Sequence, residues 1–102
     1  MGISINRADN VLTASIIGEI DHHSAKNMRE EIDSSIENFL PKTLELDFKK
    51  VTFMDSSGIG LVMGRYKLMQ NINGKIKIIN LSNQTKKVMR LAGLDKLATI
   101  EN

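Results

Sequence analysis

The chain has no cysteine among its 102 residues, one proline (Pro41), and no long hydrophobic run. Without thiols it can form neither a disulfide framework nor a thiolate metal site, and a reducing cytosol is the simplest setting. Its apolar stretches fall far short of the roughly 20 residues that a membrane span requires, and Met1 to Arg7 lacks the apolar core of a signal peptide. A cytoplasmic protein, neither exported nor membrane-spanning, is therefore expected. Aromatic residues are scarce, and Phe39, Phe48, Phe53 and Tyr66 are too dispersed to make a stacking platform for single-stranded nucleic acid. Nor does charge of one sign dominate. The net charge is +2, from 14 Lys and Arg against 12 Asp and Glu, with a pI near 9.0. The two signs are interleaved, which describes a solvated surface rather than a nucleic-acid footprint. Linker-like stretches and internal repeats are lacking too, so residues 1–102 are expected to fold as one domain.

What is there is a dense succession of short periodic segments. Leu12, Ala14 and Ile16 alternate with Thr13 and Ser15, which predicts a strand over Val11 to Ile20 with Gly18 as a bulge. Ile3 to Arg7 predicts an antiparallel neighbour across a tight turn at Ala8, Asp9 and Asn10. Ala25, Met28, Ile32, Ile36 and Phe39 recur at helical spacing, after Asp21 or Ser24 as cap and before Pro41 as stop. Thr43 to Lys49 and Lys75 to Ile79 alternate again, each with one wet face. A fully covered parallel sheet would give continuous apolar runs, so the prediction is α/β: a mixed sheet of four to five strands with helices mainly on one face.

A second helix is predicted over Ser56 to Asn71, capped by Asp55 or Ser56, with Ile59, Val62, Met63, Tyr66 and Met69 as its apolar stripe. Met63 and Met69 are expected in the core, and Met54 at an adaptable edge. Gly58, Gly60 and Gly64 each cost about 0.5–1 kcal/mol there relative to alanine, which predicts a close approach of the backbone to the sheet or to a partner. A third helix, Asn83 to Ala92, is capped by Ser82 and closed by Gly93, and a last strand covers Leu97 to Ile100.

The stretch that speaks of function is Phe53-Met54-Asp55-Ser56-Ser57-Gly58-Ile59-Gly60. It sets two hydroxyls and a carboxylate at a helix N-terminus, where free N–H groups and about half a positive charge tolerate a phosphoryl group. Phosphorylation would add about −1.5 to −2 charge without melting the helix. A partner docked there would meet an added dianion beside Asp55, and wrongly placed like charges cost several kcal/mol. On spacing alone, an Asp-Ser-Ser before a helix is most often just a cap.

A resemblance sharpens the choice. Glu19-Ile20-Asp21-His22-His23-Ser24-Ala25, followed by that stretch, by Gly64-Arg65-Tyr66-Lys67 and by Leu91-Ala92-Gly93-Leu94, closely resembles the anti-sigma factor antagonists, the bacterial branch of the STAS domain family. The Asp-His-His and Gly-Arg-Tyr-Lys segments are most similar to the sporulation members. The resemblance implies a non-enzymatic switch. Ser57 would be phosphorylated by an anti-sigma factor that is also a serine kinase. The unphosphorylated chain would bind that factor and free its sigma factor, and a serine phosphatase would reverse the mark. Asp55, Ser56, Gly58 and Ile59 would form the docking surface, with Asp21, His22 and His23 at its edge. Ile59 stands where leucine is common, a volume-conserving change, and relatives often continue into another helix beyond the position of Asn102. No cofactor, metal, nucleic acid or membrane is implied.

Other constellations point elsewhere with less support. Gly58 to Gly64 superficially resembles a nucleotide-binding glycine loop, but its third glycine is displaced and no P-loop lysine follows. A nucleotide-binding or hydrolytic enzyme using Ser57, Asp55 and His22 is thus one alternative. The regulatory module of an anion transporter, which shares the STAS fold, is another. His22 and His23 lack clustered partner ligands for a metal. Lys86, Lys87 and Arg90 read as a solvated face near a helix C-terminus.

Overall fold

The computed structural model describes residues 2–101. Strand β1 (Gly2–Ala8) pairs antiparallel with β2 (Val11–Ile20) through a turn in which Asp9 adopts a left-handed φ of 55°. Helix α1 (His22–Phe39) follows, then β3 (Thr43–Met54), α2 (Ser56–Asn71), β4 (Lys75–Ile79), α3 (Asn83–Leu91), a 3₁₀ turn at Leu94–Lys96, and β5 (Thr99–Glu101). The five strands lie in chain order, β1-β2-β3-β4-β5, and every pairing after the first is parallel.

Alternation along the strands decides where the core lies. Leu12, Ala14, Ile16, Leu44, Leu46, Phe48, Ile76 and Ile78 are buried and face the helices. Ala25, Met28, Ile32 and Ile36 of α1 meet them, as do Leu61, Val62 and Met69 of α2 and Met89 of α3. The opposite sheet face is polar. There Thr13 Oγ1 donates to Glu45 Oε1 at 3.0 Å, and Lys77 Nζ lies 3.8 Å from Glu45 Oε2 and 3.2 Å from Glu101 Oε1. These half-wet pairs order the face and add little stability, since exposed ion pairs are worth about 0–1 kcal/mol.

Three expectations change in detail. β3 runs to Met54 instead of stopping at Lys49, because its second half pairs with Ile17 to Ile20 of β2 after register shifts around Ile16 and Gly18, the latter at φ 96°. The last strand starts at Thr99, since Leu94–Lys96 form a helical turn first. The stripe of α2 is rotated: Gly58, Leu61, Val62, Arg65 and Met69 are buried, whereas Met63 is 39% exposed and belongs to the surface. The glycines also separate. A Cβ on Gly58 would collide with the Met54 side chain, while Gly60 and Gly64 have open space around that position, so close approach within the chain accounts for Gly58 alone.

Candidate functional site

The site grows out of two neighbouring strand ends. Parallel pairing carries β2 and β3 forward until Ile20 lies opposite Met54, and the Asp55 N–H then donates to the Ile20 carbonyl at 3.1 Å. Both strands therefore end at the same level, and each turns directly into a helix through one aspartate. The N-termini of α1 and α2 are thereby brought to one edge of the molecule.

The two caps differ. Asp21 makes a capping box: its Oδ1 accepts from the Ser24 N–H at 2.8 Å and the His23 N–H at 2.9 Å, and its own N–H donates to Ser24 Oγ at 3.0 Å. The Ser24 hydroxyl donates onward to the Glu19 carbonyl at 2.7 Å, which fixes the strand end to the helix. These donors, the Ser24 N–H foremost, hold the Asp21 carboxyl below the usual aspartate range. Both cap candidates of α1 thus act, one as cap and one as its reciprocal partner. At α2 the cap is Asp55, whose Oδ1 accepts the Ser57 N–H at 2.7 Å while its carbonyl accepts the Gly58 N–H at 3.0 Å. The N–H groups flanking the Ser57 side chain are consequently committed before any ligand arrives.

The two serines of the motif have different surroundings. Ser56 is exposed. Ser57 is half-buried and lines a groove between α1 and α2 with His22, Ala25, Lys26, Arg29, Gly60 and Leu61. Gly58 is buried beneath Met54, and Ile59 is half-buried against the core. Of the edge residues, His22 shares the groove with Ser57, whereas Asp21 and His23 line a separate depression on the other flank of α1 together with Glu19 and Glu31. The His22 and His23 rings stand 5.8 Å apart at 58°. Among the described residues no group of three or more His, Asp or Glu gathers as a metal ligand set.

Two features went unread in the sequence. The spacing of His22, Lys26 and Arg29, four and then three residues, places them on one face of α1, and that periodicity was available. Phe53 is 54% exposed beside the motif and shares a shallow groove with Met54, Thr85 and Val88, itself 43% exposed. Its outward direction continues the parity of Glu45, Asp47 and Lys49 along β3, so the alternation extended past Lys49 could have found it. The Gly58 to Gly64 run lies wholly inside α2, so it is no phosphate-cradling loop.

Comparison with known proteins adds identity to this geometry. The sequence profile of the STAS domain matches residues 2–102. The anti-sigma F factor antagonist of Paenibacillus polymyxa is 32% identical over 90 residues, which cover 88% of this chain and 77% of that protein. The anti-sigma F factor antagonist of Lysinibacillus sphaericus is 34% identical over 79 residues, covering 78% of this chain and 68% of that protein. Among solved structures, the Bacillus cell fate determinant SpoIIAA in its phosphorylated form superposes with a TM-score of 0.76 at 28% identity, over 98% of this chain and 91% of that one.

Proposed function

The chain belongs to the STAS domain family, among its anti-sigma factor antagonists, and from that membership we propose that it is a partner-exchange switch set by phosphorylation of Ser57. The unphosphorylated form binds an anti-sigma factor that is also a serine kinase, and the sigma factor is released. That kinase transfers the γ-phosphoryl group of ATP to Ser57 Oγ, with loss of the hydroxyl proton and release of ADP, and binding ends. A serine phosphatase restores the binding form. Residues 1–102 act in the cytoplasm as one binding domain, without cofactor, nucleic acid, membrane or chemistry of their own. The likeness to two anti-sigma F factor antagonists supports the sporulation branch.

The observation that carries this reading is the position of Ser57 at the second residue of α2, its backbone held by Asp55 and its side chain on an accessible groove. Asp55 fixes where the hydroxyl is presented to the kinase. Asp55, Ser56 and Ile59 shape the docking surface over Gly58, which is buried beneath Met54, with Asp21, His22 and His23 at its margin and exposed Phe53 as an apolar anchor. A dianion arriving at the centre of that surface must be desolvated against the partner and repels any facing carboxylate. The hydrolytic alternative is not favoured, since the Asp55 carboxylate accepts the Ser57 N–H and makes no hydrogen bond to the Ser57 hydroxyl that a base would need. For a transporter module nothing speaks specifically; among the described residues no helix is long and apolar enough to cross a membrane.

Intact-mass and peptide mass spectrometry after incubation with a candidate anti-sigma serine kinase and ATP tests the proposal. One phosphoryl group on Ser57, absent in Ser57→Ala, is expected, with Ser57→Ala still bound by the kinase. Stoichiometric phosphate on Ser57→Ala would move the acceptor to Ser56, and no modification by any such kinase would remove the switch.

A further inference from the structure

A phosphoryl group on Ser57 needs counter-charge, and the backbone has little left to offer. The Ser57 N–H already donates to Asp55 Oδ1 at 2.7 Å and the Gly58 N–H to the Asp55 carbonyl at 3.0 Å. The Asp55 carboxylate itself stands within two residues and repels a dianion. From the backbone there remain the field of the α2 N-terminus and the Ser56 N–H at its first position, together with whatever side chains surround the serine.

Those side chains are cationic. The groove that Ser57 lines, about 380 Å³, receives Lys26 and Arg29 from α1, with His22 one turn before them, and has no carboxylate in its wall. Gly60 leaves its floor open, since a Cβ there would meet nothing within 4 Å. Deeper between the same helices Arg65 is paired with Asp33, so that carboxylate is already neutralised. The depression on the other flank of α1 has the opposite character, being lined by Glu19, Asp21 and Glu31. Of the α1 side chains, Lys26 and Arg29 thus line the Ser57 groove and Glu31 the other flank, while Asp33 lies on the α2 side in its pair with Arg65.

We infer that the groove between α1 and α2 is an intramolecular phosphate cradle, in which Lys26 and Arg29 hold the phosphoryl group of Ser57 within the protein's own surface. The inference rests on Ser57 as the phosphorylated residue and adds how that state is held. Arginine and lysine engage phosphate through charge-assisted hydrogen bonds, and both side chains are long, exposed and line the groove, with Arg29 also acting on the Asp33 carboxyl. The cradle makes the phosphorylated form a defined state of the molecule: the dianion is drawn back against α1 and the cations that would otherwise face a partner are consumed. Ser56 lies outside the groove and lacks this provision.

The test places phosphoserine genetically at position 57, so that no kinase is involved, and follows the phosphate by phosphorus-31 NMR across pH in wild type and in Lys26→Gln/Arg29→Gln. The two cations are exposed, so the variant keeps its fold, as circular dichroism would verify. The second ionisation of free phosphoserine lies at about 6. In the wild-type protein it is expected lower by about one unit, as for an anion gaining cationic neighbours, and the double variant should lose most of that shift. Phosphoserine placed at position 56 should be indifferent to the double substitution. Equal values in wild type and double variant, whether near 6 or lowered in both, would overturn the cradle, the latter assigning the effect to the helix end alone. Failure of any kinase to modify Ser57 would sink the switch but leave this measurement standing.

Discussion

Arg65 and Asp33 join α2 to α1 by a single ion pair, Nε to Oδ1 at 2.7 Å, with Arg65 only 5% exposed and its Nη1 donating to the Leu61 carbonyl at 3.4 Å. Burial raises the Asp33 carboxyl above the ordinary range, although the Arg65 guanidinium pulls it back, and burial lowers Arg65 in turn. Removing one partner strands the other, so Arg65→Met is expected to destabilise by about 3 kcal/mol. That is the low end for breaking a buried pair, because Asp33 retains 30% side-chain exposure. Arg65→Met/Asp33→Leu should recover most of the loss in urea denaturation. The pH dependence has a definite sign. With its native value raised above the unfolded 3.8, Asp33 contributes stability below that value, and the contribution is lost as pH rises through the native one. Asp21, lowered by its cap, does the reverse: its contribution is present above 3.8 and is lost as pH falls through its native value. Denaturation midpoints from pH 3 to 6 should therefore lose the first feature in Asp33→Asn and the second in Asp21→Asn. An unchanged profile in both would contradict the assignment. Arg65 was named in the sequence only as part of Gly-Arg-Tyr-Lys, because a charged residue is not counted toward an apolar stripe. With Met63 and Tyr66 supplying the phase instead, the stripe came out rotated from Leu61, Val62 and Met69.

Among the elements, α1 and β4 were legible because their patterns are local, a helical period between a cap and a proline in one case and a strict alternation in the other. β3 was half legible. Its first half alternates cleanly, but Lys49 to Met54 becomes a strand only through its partners in β2, a register that nothing in the segment itself encodes. Helix α2 has the opposite problem, since three glycines argue against a helix that tertiary packing nevertheless imposes. The glycines give a sharp contrast. Gly60→Ala removes the entropic penalty of a helical glycine and meets no neighbour, so a stability gain of about 0.5–1 kcal/mol is expected. Gly58→Ala places its methyl against Met54 and should instead lose about 1 kcal/mol, the low end for overpacking, because a methionine side chain can yield. Thermal denaturation of the two variants beside wild type decides it, and a Gly58→Ala variant as stable as Gly60→Ala would show that Met54 does not fill that space.

At the scale of the whole molecule, the candidate site sits at the C-terminal ends of β2 and β3, at the margin of the buried core. Ser57 contributes nothing to the buried cluster, and its neighbours Ser56 and Phe53 are exposed. Chemistry at this edge can thus change what the protein binds without changing what it is. Ser57→Asp should accordingly unfold within about 0.5 kcal/mol of wild type, as for other surface substitutions, yet bind the anti-sigma factor at least about 100-fold more weakly. How that loss responds to salt separates its possible causes. Repulsion between exposed charges is screened over about 10 Å at 0.1 M salt and about 3 Å at 1 M, so an electrostatic loss should shrink several-fold between those conditions, measured relative to wild type in each. A steric or desolvation loss would stay constant. The grooves flanking α1 favour the first outcome. Lys26 and Arg29 share a groove with position 57, so a charge placed there acts on charged neighbours rather than on apolar packing. Salt independence of the Ser57→Asp defect would place the switch in shape rather than charge and would shift attention to Ile59 and Phe53 as the surfaces that fail to seat.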